Sequence, residues 1–545
     1  MMKRRTNRHC YRLYPVALCL LFGSGTLGAH SAAGDPPPGV PSPAEPRGYG
    51  KVALTHTVSS AEAAQAFTDG LKLLHLFEYP AARRHFQQAR ALAPEWFMPY
   101  WGEAMTHNAP LWNQYDRPAG QAVLALWAPD VQARRARLAG DAPGLAWLTA
   151  LDILYGDLER PARDRAYAAA LAQAAADFPA DDEFQLFYAL ALLGRHGGVR
   201  DHADYMQAAA LAAEVLDRQP EHPGAAHYLI HGVDDAIHAP LGLTAARRLA
   251  EIAPDAPHAQ HMASHIFLAL GLWPETAAAN RRAIDARRRF DGTGAACGHY
   301  PVWLHYALLQ QGQSAEAARQ LEACRQAAAQ SPPPARFELD PDDSARGSLV
   351  QMWARQWIDG RAENDGRPQP AAGPEWTPDP GEAAVPMMTV ELIQALRAYD
   401  RDDSAAVAAA ERRFGHWHAL LQAELTGRRE RGEVETLYLE RAAVLAAEVA
   451  ALAAAARGDS TAALVAAAHA AEREAAMPAV FGPPFVDWPA AELYAELLQR
   501  ASQQSKAAAI LREQLATYPG RRPILRRLEA LGRSEKNQTT NNEQR

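Results

Sequence analysis

The sequence has 545 residues, enough for several ordinary domains or for one long array of repeats. It carries 55 basic and 63 acidic residues, a formal net charge of −8, and no basic block, which argues against nucleic acid or an anionic membrane as its main partner. Charged residues make up 22% and hydrophobic residues 48%, which excludes a largely disordered chain. Alanine dominates the apolar content, and this composition favours closely packed helices over strands.

The first 33 residues have the pattern of a secretory signal peptide. A basic segment (1–12) precedes an apolar run from Leu13 to Phe22, and small residues follow up to Ala33. Ten apolar residues are too few to cross a bilayer, which needs about 20. We therefore expect export to the periplasm or the exterior, with no membrane span. Residues 34–58 follow as a proline-rich, extended tether.

The rest of the chain is predicted to form helical hairpins. Gly70, Ala82, Phe86, Ala89 and Pro94 have the spacing of the small and aromatic packing positions in a 34-residue tetratricopeptide (TPR) repeat. The same pattern of small residues recurs further along at irregular intervals. It predicts an all-α, TPR-like solenoid of helical hairpins.

Composition also predicts that the solenoid is divided into two lobes. Residues 359–386 are rich in proline and glycine, and we interpret them as a linker. An N-terminal lobe (59–358) would precede this linker, and a C-terminal lobe (387–533) would follow it. Residues 534–545 are polar and are predicted to be a disordered tail.

Histidines concentrate in the middle repeats, where nine of the 20 lie between His222 and His305. A helix turns by about 100° per residue, so His258, His261 and His265 lie within roughly 60° of one another. His227 and His231 are four residues apart and share one face of the preceding first helix.

In a TPR array the first helix of each hairpin lines the concave groove, and the repeat register places these histidines there. It adds His299 on a third adjacent helix. Neighbouring first helices are roughly 9–10 Å apart, so imidazoles from three helices would reach a shared ion. We predict a transition-metal site for Zn, Cu or Fe, with Asp234 or Asp235 as the nearest general base for hydrolytic or oxidative chemistry. The predicted metal ligands are His227, His231, His258, His261, His265 and His299.

Two alternatives remain open at this stage. The groove could instead bind a peptide or partner protein without chemistry, or the histidines could be purely structural. Imidazole nitrogens that converge on one point would favour a metal, whereas histidines spread along the groove would favour a peptide. His75, Glu103 and His107 lie in earlier repeats and would join the site only if the superhelix curled back.

Only Cys297 and Cys324 remain once the predicted signal peptide is removed. Cys297 immediately precedes one helix and Cys324 lies late in the next, so antiparallel pairing would bring their Cα atoms within disulfide range. An oxidising compartment favours this disulfide. The alternative is that Cys324 is a buried free thiol at a small-residue packing position.

Several segments together resemble a family of exported bacterial TPR proteins, distantly similar to human tetratricopeptide repeat protein 38. The resemblance implies a repeat fold and export, but no settled activity. The chain departs from it at His107-Asn108-Ala109, where Asn-His-Pro is expected, so the resemblance implies no role for His107. The matching segments are YWGEAMT (100–106), YALALL (188–193), residues 222–235, residues 253–273 and FGPP (481–484).

Overall fold

The computed structural model describes residues 48–53, 60–197, 199–292, 296–331, 344–363, 383–426 and 433–543. The predicted signal peptide, most of the predicted tether and residues 364–382 of the predicted linker lie outside this part of the chain.

Helices make up most of the described chain, and the predicted all-α solenoid is confirmed. The only strands in the described residues are two short ones, β1 (Asn108–Ala109) and β2 (Gln114–Tyr115), paired antiparallel around the 3-10 helix Pro110–Trp112. The first twelve α-helices are α1 (Ala61–His75), α2 (Tyr79–Leu92), α3 (Met98–Met105), α4 (Arg117–Trp127), α5 (Val131–Arg137), α6 (Ala142–Leu154), α7 (Arg160–Asp177), α8 (Asp182–Gly194), α9 (His202–Arg218), α10 (Pro223–Val233), α11 (Ala239–Ile252) and α12 (Pro257–Ala269).

Eleven further α-helices complete the described chain. They are α13 (Trp273–Asp291), α14 (His299–Gln310), α15 (Ser314–Gln330), α16 (Ala345–Glu363), α17 (Ala384–Tyr399), α18 (Ser404–Thr426), α19 (Glu433–Ala456), α20 (Ser460–Ala475), α21 (Ala490–Arg500), α22 (Gln504–Thr517) and α23 (Arg522–Glu543). The last helix extends through most of the segment for which composition predicts a disordered tail.

The helices stack as a repeat array does. Most helices pack against the next one in the chain, and alternate helices also touch, as α8, α10 and α12 do. This arrangement places α10 and α12 side by side with their histidines on adjoining faces. Proline begins both helices, at Pro223 and Pro257, where its fixed φ suits the first helical position.

The superhelix also curls back on itself. The first helix, α1, contacts α10, and α16 contacts α23. The indole nitrogen of Trp273 donates a hydrogen bond to the carbonyl of Gly520 (3.1 Å), which joins the middle of the chain to its C-terminal end. The histidine-bearing faces of α10 and α12 are buried.

Hydrophobic side chains on both sides of residues 364–382 belong to one core cluster. Val302 and Trp353 precede this segment, whereas Met388 and Leu445 follow it, and all four are buried in the same cluster. The helices that flank the predicted linker are therefore packed together.

A disulfide joins Cys297 to Cys324, with their Cα atoms 4.8 Å apart, and this prediction is confirmed. It connects the segment just before α14 to α15. Within the described residues, no helix combines the length and hydropathy that crossing a bilayer requires.

Candidate metal centre

The six predicted ligands come together as two adjacent groups of three. Trio A consists of His227 and His231 on α10 with His258 on α12, and its three ligand nitrogens lie within 4.8 Å of one another. Trio B consists of His261 and His265 on α12 with His299 at the start of α14, within the same limit. Thus α12 contributes ligands to both groups.

In trio A, three imidazole nitrogens are buried without a hydrogen-bond partner. They are the Nε2 atoms of His227, His231 and His258, whose side chains are at most 6% exposed. Most buried polar atoms in folded proteins have a partner, and leaving one without costs about 1–3 kcal/mol. Three such atoms close together fit the donor set of a common metal ion.

In trio B, the imidazoles point at one another. Nε2 of His261 lies 3.0 Å from Nε2 of His265 and 3.0 Å from Nε2 of His299. Two nitrogens bound to one ion at about 2.0–2.1 Å are separated by roughly 3 Å. The spacing in trio B therefore fits three ligands of a single ion.

Hydrogen bonds on the opposite side of the rings identify which nitrogen carries the proton. The amide nitrogen of Asn280 donates to the carbonyl of Thr276 (2.9 Å), so its Oδ1 faces His261 and accepts from Nδ1 (2.7 Å). His265 Nδ1 donates to Oδ2 of Asp234 (2.8 Å). With both protons on Nδ1, the two neutral rings direct lone pairs at each other across 3.0 Å. A cation between them removes this repulsion.

Trio A is oriented in the same way. His227 Nδ1 donates to the backbone carbonyl of His75 (2.6 Å), and His231 Nδ1 lies 3.4 Å from Asp234 Oδ2. Their unpartnered Nε2 atoms therefore carry lone pairs. In known metal sites the second nitrogen of a ligating histidine usually donates to a carboxylate or carbonyl, as it does here.

Asp234 links the two trios. One of its oxygens faces the Nδ1 atoms of His231 and His265, and the other pairs with the buried guanidinium of Arg200. Burial opposes ionisation, but Arg200 and the two imidazole donors lower the pKa of Asp234 well below its usual range. The ionised carboxylate therefore holds one ring of each trio.

Burial favours the neutral form of four of the six imidazoles. Burial, followed by neighbouring imidazoles, lowers the pKa of His227, His258 and His261 well below the usual value. Burial also lowers the pKa of His265 to about 4, although Asp234 opposes the shift. Neutral imidazole is the form that binds metal.

Aromatic side chains surround the two trios. Trp303 lies 4.6–5.3 Å, between ring centroids, from His261, His265 and His299. Phe77 packs against all three rings of trio A, and Trp112 meets His258 edge-on at 5.6 Å. Aromatic rings therefore line much of the space around the imidazoles.

The other candidate residues from the sequence make contacts elsewhere. Asp235 accepts hydrogen bonds from the backbone of Ile237 and from His238, and it lies 3.4 Å from Arg200, so it holds the turn before α11. Glu103 pairs with Arg90 on α2. The nitrogen of His107 appears in none of the close ligand groups in the described chain. Both carboxylates therefore have partners in the described chain, and a general-base role for Asp234 or Asp235 stays a prediction.

His75 approaches the centre, because the superhelix does curl back, but it contributes its backbone carbonyl rather than its ring. The ring forms a separate buried group with Glu183 and His222, in which Nε2 of His75 and Nε2 of His222 both donate to Glu183 (2.8 and 3.1 Å). Tyr228 hydroxyl lies 2.9 Å from the other nitrogen of His75.

The sequence analysis missed the residues that support the ligands. Asn280, Arg200, Phe77 and Trp303 come from four separate parts of the chain, and no periodic pattern marks them. Phe481 was the exception, since it lies in the FGPP segment that carries part of the family resemblance. Its ring packs against His265 at 5.0 Å and His231 at 6.2 Å.

No protein-family model and no curated protein matches the chain. Among solved structures, human IFIT1, described as a dimer with m7Gppp-AAAA, aligns over 87% of this chain and 91% of its own, at 11% identity and a TM-score of 0.34. Yeast Tom70 aligns over 88% and 90%, at 10% identity and a TM-score of 0.30. The TPR domain of P58(IPK) aligns over 88% and 99%, at 13% identity and a TM-score of 0.19. The fold assignment given above rests on the helices and their packing.

Proposed function

We propose that this protein holds a pair of transition-metal ions, one in each histidine trio, and that the pair acts as an oxidative centre. The observation that carries the proposal is the convergence of imidazole nitrogens, with three unpartnered Nε2 atoms buried in trio A and three Nε2 atoms drawn together in trio B. Each trio offers three protein ligands and leaves further positions for a small molecule, as catalytic metal sites do.

The donor set favours copper. All six donors are imidazole nitrogens, which suit Zn, Cu, Fe and Ni, and affinity for divalent ions in this series peaks at copper. Copper held by the six imidazoles would supply one-electron redox chemistry towards dioxygen. Hydrolysis is less well supported, because both oxygens of Asp234 already have partners.

The same geometry argues against a peptide-binding groove. Five of the six imidazoles are at most 6% exposed, so a peptide lying in the groove would not reach them. Export also belongs to the proposal, and the Cys297–Cys324 disulfide supports it because such bonds persist in oxidising compartments.

Reconstitution tests the proposal. The purified chain is loaded with Cu(I) under anaerobic conditions, freed of excess metal and analysed for copper. We expect about two ions per chain, and then uptake of about one dioxygen per two copper ions on exposure to air. Zinc-loaded protein is the matched control and should take up none. Failure to retain Zn, Cu, Fe or Ni would refute the metal centre, whereas retention of copper without oxygen uptake would refute only its oxidative role.

A further inference from the structure

Phe481 is the feature of the centre that metal binding alone does not explain. It lies in the connection between α20 and α21, outside any helix, and its ring covers one imidazole of each trio. It is packed near-parallel to His265, with an interplanar angle of 28°, and meets His231 at a steeper angle of 65°. No other aromatic ring in the described part of this connection lies against the trios.

The backbone beside Phe481 is built to place the ring there. Gly482 has φ +99°, a left-handed conformation that other residues rarely adopt, and a Cβ at this position would lie 2.6 Å from the ring of Trp303. The glycine therefore lets the chain cross closely over Trp303, which itself packs against trio B.

The two ends of this connection differ in how firmly they are held. On the C-terminal side, Arg441 donates to the carbonyl of Phe485 (2.7 Å), and both Arg441 and Arg355 pair with Asp487. On the N-terminal side, Val480 is 39% exposed, and Phe481 itself is only partly buried. The ring thus lies at the boundary between an anchored segment and solvent.

We propose that Phe481 occupies the position of the substrate, and that the substrate is a small aromatic molecule with an oxygen donor, such as a phenol or catechol. This inference rests on the proposed metal centre. Displacement of Phe481 towards solvent would leave a gap bounded by the imidazole faces of His231 and His265 and by Trp303. A planar ring in this gap keeps the stacking on His265, and its oxygen would reach the metal pair.

The test uses copper-loaded protein and 4-nitrocatechol, whose absorption changes when it binds a metal. Phe481→Ala should bind this probe at least tenfold more tightly than the parent chain, because the ring that competes for the position is gone. Phe481→Trp should bind it more weakly, because a larger ring fills the same position. Val480→Ala is the matched control, since it shortens a neighbouring side chain that faces solvent, and it should not differ from the parent.

Acetohydroxamate, a non-aromatic metal chelator of similar reach, separates ring recognition from simple access. Its affinity should rise less than threefold in Phe481→Ala. An equal gain for both probes would overturn the aromatic assignment and leave Phe481 as an obstacle only. Full copper content with unchanged nitrocatechol affinity would overturn the inference while the metal centre stands. Absence of copper from every variant would remove the proposed function and this inference together.

Discussion

The protein contains two buried histidine clusters that look alike by proximity and differ in their hydrogen bonding. The trios and the group of His75, Glu183 and His222 each bring three ligand-type atoms within 4.8 Å. In the second group, His222 accepts from the backbone of Ala225 (3.3 Å) and donates to Glu183, so both of its nitrogens are used. His75 likewise has a partner on each nitrogen.

This difference shows that nearness of ligand-type side chains is a weak indicator of a metal. A network in which each nitrogen already has a partner gains little from an ion, whereas lone pairs buried without partners gain a great deal. Substitutions in the trios should therefore lower the amount of bound metal, whereas substitutions in the second cluster should lower stability only.

The largest effect should come from removing two ligands of trio B. The double variant His261→Ala and His265→Ala leaves only His299 in that group, so metal content should fall from two ions to at most one per chain. Elemental analysis after gel filtration measures this, with circular dichroism to establish that helical content is retained. Two ions in the folded double variant would show that trio B is not a ligand set.

Asp234→Asn should weaken binding without removing any ligand. The asparagine amide lacks the negative charge with which Asp234 orients His231 and His265. Loss of such an outer partner typically costs 10–100-fold in metal affinity. Competition with a chelator of known affinity measures the change. Asp235→Asn is the matched control, because this neighbouring carboxylate contacts the turn and not the ligands, and equal losses in both variants would contradict the assigned roles.

Removing the disulfide should lower the stability of the fold and should change metal affinity only slightly. Replacing Cys297 and Cys324 by serine removes a cross-link between residues 27 apart, which should lower the free energy of unfolding by about 3 kcal/mol. His299 follows Cys297 by two residues, so affinity at trio B should fall by less than tenfold. Urea denaturation and chelator competition measure the two effects. Two free thiols in the denatured, unreduced chain that lacks residues 1–33 would refute the bond itself.

No effect on metal content is expected from the second cluster. Glu183→Ala leaves two imidazole donors buried without an acceptor and should lower the free energy of unfolding by about 2–4 kcal/mol. Metal per folded chain, measured by elemental analysis, should remain at the parent value. A variant that is as stable as the parent but has lost an ion would mean that the two clusters have been assigned the wrong way round.

The sequence was enough to predict the solenoid and the convergence of the six histidines, because both follow from helical periodicity. Residues three or four apart on one helix must share a face, which brings His258, His261 and His265 into one stripe. Periodicity does not reveal how that stripe is divided between two trios, since the division depends on how α10 and α14 are placed beside α12.

For a related reason, the residues that surround the six histidines could not be predicted from the sequence. Asn280, the carbonyl of His75 and Phe481 reach the centre only because of tertiary packing, including the return of α1 to α10. Asp234 was identified from its position next to the histidines, but its role depends on Arg200, which lies 34 residues earlier. Arg200 and the two Nδ1 donors hold this carboxylate ionised between the two trios.

Anomalous X-ray scattering from a crystal of the copper-loaded protein tests the central claim most directly. The account predicts two peaks in the histidine cluster, one about 2.0–2.1 Å from the three donor nitrogens of trio A and the other at the same distance from those of trio B. No peak should appear between His75, Glu183 and His222. Copper at that second cluster, or none at either trio, would contradict the account.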